Sequence, residues 1–104
     1  MQINFDVQLK DVDGNVMMEG PDRPSTLGLA VARALDTPLV SDGPNADVDD
    51  KIRRYVLMKE CRFGTVEVSV EDLALIKHRV GQTYTASVVG QCFELLDPGC
   101  TKRK

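Results

Sequence analysis

The chain has 104 residues, 42% hydrophobic and 28% charged, with a net charge of -3. That length supports one domain with its own core, and the composition excludes a disordered chain, a fibrous repeat and a membrane-spanning protein. Three widely spaced cysteines, Cys61, Cys92 and Cys100, do not form the dense even set of a secreted disulfide scaffold, and no signal-peptide pattern opens the sequence, so a cytoplasmic protein is expected.

Ile3, Phe5, Val7 and Leu9 alternate with Asn4, Asp6, Gln8 and Lys10, the period of a strand with one buried face. Val12-Asp13-Gly14-Asn15 follows as a hairpin turn. A two-residue Asp-Gly loop sets Leu9 opposite Met18 on the inward face. Gly20, Pro21 and Pro24 close the second strand, and Ser25 or Thr26 caps a first helix that carries Leu27, Leu29, Val31, Ala34 and Leu35 and ends near Asp36. Thr37 to Asn45, with two prolines and a glycine, reads as a surface loop and a candidate for mobility.

A second helix is expected from about Ala46 to Arg62, with Val48, Ile52, Tyr55, Val56, Met58 and Phe63 as its apolar side. Asp47, Asp49 and Asp50 suit its positive end, and Gly64 suits the left-handed position after its last turn. Val66 and Val68 mark a short strand or an extended lead-in to the next helix. Ser69 and Asp72 have capping-box spacing, with Val68 and Leu73 placed as a hydrophobic staple. The third helix runs from there to a stop at Gly81, and a fourth runs from about Tyr84 to Leu96, before Asp97-Pro98-Gly99. The expected fold is α+β: an N-terminal β-hairpin packed on about four α-helices, the last two an αα-hairpin. Residues 1–99 form one globular domain, and 100–104 a flexible basic tail.

Few residue groups suggest chemistry. Asp11-Val12-Asp13-Gly14-Asn15 has alternating carboxylates, but its glycine comes too early for a calcium loop and Asp22 stands where a bidentate Glu belongs. Cys61, His78, Cys92 and Cys100 are zinc-type ligands without a close pair to start a site, so the cysteines read as core residues. His78 sits between Lys77 and Arg79 on a solvent-facing stretch, which leaves a serine or cysteine nucleophile without a base. No glycine-rich phosphate loop is present. No enzyme activity, metal or cofactor is therefore expected. Most acids precede residue 51 and most bases follow it, a split that a helix complementing its own dipole also produces.

The stretches Asp50-Lys-Ile-Arg-Arg-Tyr-Val-Leu-Met-Lys, Val66-Glu-Val-Ser-Val-Glu-Asp-Leu-Ala-Leu-Ile-Lys and Val88-Val-Gly-Gln-Cys-Phe-Glu-Leu-Leu together resemble small uncharacterised proteins of tailed bacteriophages and prophages. The resemblance implies a phage setting inside a bacterial host cell and carries no residue role.

The functional expectation is a non-enzymatic protein-binding module, adaptor or regulatory, whose partner is a phage or host protein or the chain itself. Helix four is apolar around much of its girth, which makes Val88, Val89, Phe93 and Leu96 the contact candidates, with the Thr37 to Asn45 loop beside them. The alternative is a DNA-binding regulator whose helix-turn-helix-like unit at residues 70–96 presents Thr83, Thr85, Ser87 and Gln91. Against it, the second helix of that unit has no Arg or Lys for phosphates or guanine.

Overall fold

A computed structural model describes residues 1–39, 42–43 and 47–97. In chain order the elements are β1 (Gln2–Asn4), β2 (Met18–Gly20), β3 (Arg23–Pro24), α1 (Leu27–Asp36), α2 (Val48–Glu60), β4 (Thr65–Glu67), α3 (Val70–Thr83) and α4 (Ala86–Leu96). The fold is α+β, with an N-terminal two-stranded antiparallel hairpin, β2–β3, followed by four helices. The expected tail, 100–104, lies outside the described residues, as does part of the expected loop from Thr37 to Asn45.

The alternation at the start of the chain buries Ile3, Phe5 and Leu9, but not in one continuous strand. β1 is short and pairs antiparallel with β4, Ile3 opposite Val66, a partnership of segments remote in sequence. The chain then bends, and Phe5 receives the N–H of Gly28 on its carbonyl while donating to Gly64 O. Beyond the bend, Met17 N donates to Leu9 O, Leu9 N to Ser25 O, and Ser25 N to Met17 O, at 2.9, 2.9 and 2.7 Å. Three segments thus exchange backbone bonds in a closed ring.

The expected register of Leu9 against Met18 is off by one residue. Asp11 Oδ1 accepts from the N–H groups of both Asp13 and Asn15, each at 2.9 Å, and Asp11 N donates to Asn15 O. These bonds fix a three-residue loop, Val12-Asp13-Gly14, with Gly14 at φ 87° in the left-handed position that closes such loops. One added loop residue makes Met17 the partner of Leu9 and turns it inward, while Met18 is 52% exposed.

α1 is the centre of the molecule. Thr26 caps it by accepting from Leu29 N at 3.2 Å, and Leu27, Ala30, Val31, Ala34 and Leu35 are all buried. It packs against α2 on one side and α3 on another. Near its start, a Cβ on Gly28 would lie 2.0 Å from the Arg62 carbonyl oxygen, so the backbone that leaves α2 passes too close for any side chain.

Ser69 caps α3 as its spacing predicts, accepting from Asp72 N at 3.1 Å. The Asp72 carboxylate turns to Arg53 of α2 at 3.0 Å, which ties the starts of α2 and α3 together. α3 does not stop at Gly81. It continues to Thr83, and the turn to α4 is only Tyr84 and Thr85, because Tyr84 turns inward to donate its hydroxyl to Ala30 O at 2.7 Å. α4 buries Val88, Cys92 and Leu96, one residue per turn, and leans Phe93 and Leu95 on the same core.

Candidate functional site

The last turn of α1 leaves carbonyls that its own helix cannot satisfy. Two buried arginines take them. Arg54, from the inner side of α2, donates Nη1 to Leu35 O at 2.8 Å, and Arg79, from α3, donates Nε to Ala34 O at 3.3 Å and Nη2 to Thr37 O. Cations at this end of a helix also meet the negative pole of its dipole. Each arginine has a carboxylate beside it: Asp50 Oδ2 at 3.2 Å from Arg54 Nε, and Asp42 Oδ1 at 2.6 Å from Arg79 Nη1. Arg54 Nε lies close enough to Asp50 for charge pairing but makes no hydrogen bond, whereas Asp42 bonds fully. The Leu39 N–H and then the Arg79 guanidinium hold the Asp42 carboxyl below the usual carboxylate range.

Next to this clamp lies a cavity of about 420 Å³, bounded by Leu35, Pro38, Leu39, Lys51, Arg54 and Tyr55 among others. Its lining is mixed, with Asp36 and Asp42 facing the same space as Lys51 and Arg54. Of the two arginines only Arg54 lines it, and that guanidinium is already engaged with α1, so the cavity borders a structural clamp.

The outward side of α2 is different in kind. The apolar side read from the sequence faces water: Val48 is 65% exposed, Ile52 56%, Tyr55 58% and Val56 44%, with Phe63 at 68% just past the helix end. These α2 positions repeat at the spacing of one helical face. The buried side instead carries Arg54 and Leu57, followed by Cys61 at the C-cap, with Met58 partly buried at its edge. The reason lies in α1. Only the Arg54 side of α2 can supply the guanidinium that the Leu35 carbonyl needs, and with that side inward the apolar stripe must point away. Lys59 Nζ lies 5.5 Å from the Tyr55 ring centre, and the Arg62 guanidinium 4.3 Å from that of Phe63, so both exposed rings carry a cation.

The four contact candidates on α4 are placed less favourably. Val88 and Leu96 are 8% and 0% exposed and belong to the core, and Val89 and Phe93 are half-buried. Packing on the core has consumed the face that sequence offered as a surface. Of the four DNA-contact candidates, Thr83 donates its hydroxyl to Arg79 O, and Gln91 exchanges hydrogen bonds with the backbone N–H and C=O of Lys10, fastening α4 to the hairpin. Thr85 and Ser87 are exposed at the start of α4, their hydroxyl oxygens 3.5 Å apart.

His78 is exposed, and Cys61 and Cys92 are buried on separate elements with free thiols that burial raises to about 11. Among the described residues no group of three His, Cys, Asp or Glu side chains comes together to hold a metal ion, and no helix is long and apolar enough to cross a membrane. Comparisons with protein families, curated proteins and solved structures find no match. The α2 stripe was visible in sequence as an apolar periodicity. What hid its role was the default that such a periodicity points inward.

Proposed function

We propose that the protein is a non-enzymatic protein-binding module that uses the outward face of α2, in the phage or prophage setting that its sequence resemblance implies. The observation that carries this reading is the exposed stripe Val48, Ile52, Tyr55 and Val56, continued by Phe63. Isolated exposed apolar residues are ordinary, but large ones aligned on one helical face are a recurring mark of contact surfaces. Their two aromatic members are residue types favoured at interface centres. The weight against a DNA-binding regulator comes from Gln91, held by Lys10, and from Arg79, buried under α1.

The test is affinity capture with the wild-type chain and with Ile52→Asp as baits, using lysate of the cell of origin with and without phage induction. The reading expects a species, the chain itself included, that the wild type retains and the variant loses. Equal capture by both baits, or capture that depends on α4 residues instead, would overturn it.

A further inference from the structure

The face of α2 carries charges as well as apolar groups, and their arrangement indicates an occupant. At 100° per residue, Asp49 and Glu60 lie together on one flank of the stripe and Lys51 lies on the other, while Lys59 rises from its middle over the Tyr55 ring. Asp49, Lys51 and Glu60 take part in no ion pair among the described residues. The stripe is therefore bordered by unspent charge, acidic on one side and basic on the other.

We infer that this face binds a second copy of the same chain, with the two α2 helices side by side and parallel about a two-fold axis running along them. This rests on the protein-binding reading above and names its partner. A two-fold axis along the helices brings the acidic flank of each copy against the basic flank of the other at equal height, so Asp49 meets Lys51, a pair formed twice, while Lys59 stays over its own Tyr55 ring. Antiparallel packing would instead bring Asp49 of one copy onto Glu60 of the other, like against like. The apolar centre is Ile52 and Tyr55 from both copies. At their measured exposures, the stripe and Phe63 present on the order of 500 Å² of apolar surface, at the upper end for a monomer. A standard interface buries about 800 Å² per partner, and the flanking charged side chains supply the remainder, which describes a modest, reversible dimer.

Sedimentation equilibrium over about 1 to 300 µM tests this, a range that brackets modest association. The expected result is an apparent mass rising from one chain to two. Ile52→Asp should leave the circular dichroism unchanged and weaken dimerisation by about 100-fold or more. Asp49→Lys alone should weaken it about 10-fold, and Asp49→Lys combined with Lys51→Asp should restore it to within about 3-fold, since the swapped charges meet again across the axis. Additive losses in the double variant overturn the parallel arrangement, and a dimer indifferent to all of these changes overturns the assigned face. A chain that stays monomeric at every concentration, yet loses a captured protein on Ile52→Asp, overturns self-association and leaves the protein-binding reading intact.

Discussion

α1 and α2 are neighbours of similar length with opposite fates. α1 is buried along most of its girth, its first turn capped by Thr26 and its last turn held by two arginines. α2 gives the interior one narrow strip, from Arg54 through Leu57 to the cap residue Cys61, and turns its larger apolar side outward. Apolar periodicity locates a helical face without stating which way it points. A polar requirement elsewhere, here the open carbonyls at the end of α1, can decide the orientation.

Breaking the clamp should have the largest effect. Arg79→Ala removes three hydrogen bonds and leaves Asp42 and the Ala34 and Thr37 carbonyls without that partner, and a loss of about 3–5 kcal/mol is expected in urea unfolding. The two isoleucines sharpen the contrast most directly. Ile76 of α3 is fully buried, so Ile76→Ala should cost about 2–5 kcal/mol in the same measurement, whereas Ile52→Ala should stay within about 0.5 kcal/mol. Equal costs at the two positions would contradict the orientation of α2.

Burial of Cys61 and Cys92 adds a pH dependence. Their thiols titrate near 8.5 when unfolded and near 11 when folded, so folding favours the protonated form. That contribution is complete below about pH 8.5 and is lost as pH rises toward 11, so the urea midpoint should fall over this interval. Substituting both cysteines with valine should flatten the decline. The cap of α3 carries less than the clamp or the core: Ser69→Ala should cost about 1 kcal/mol because Asp72 N loses its acceptor.

What sequence made legible was local. The Thr26 and Ser69 caps and the ends of α1 depend on residues a few positions apart, and they appear where their spacing places them, whereas α2 ends at Glu60, so Gly64, left-handed at φ 73°, lies three residues beyond the cap Cys61. The Leu9 register failed because the loop length was set by one side chain, Asp11, bonding two N–H groups at once. The β1–β4 pairing had no local signal, since Ile3 and Val66 stand far apart in the chain. For the candidate site, Val48, Ile52, Tyr55 and Val56 were legible as one apolar side of α2, but nothing in their spacing says that this side faces water, and Met58, grouped with them, packs on the core instead. On α4 the reverse occurred, because an apolar helix alone does not say how much of it two neighbours will cover.

The late partnership of β1 has a consequence for the order in which this chain matures on the ribosome. Residues 2–4 are synthesised about sixty residues ahead of their hydrogen-bonding mates, Thr65–Glu67. Until then the backbone groups of β1 that pair with Thr65–Glu67 in the fold lack those partners, and the strand's edge stays open. Translation pauses before the segment through Glu67 has left the ribosome would prolong the exposure of that edge, and later pauses would not.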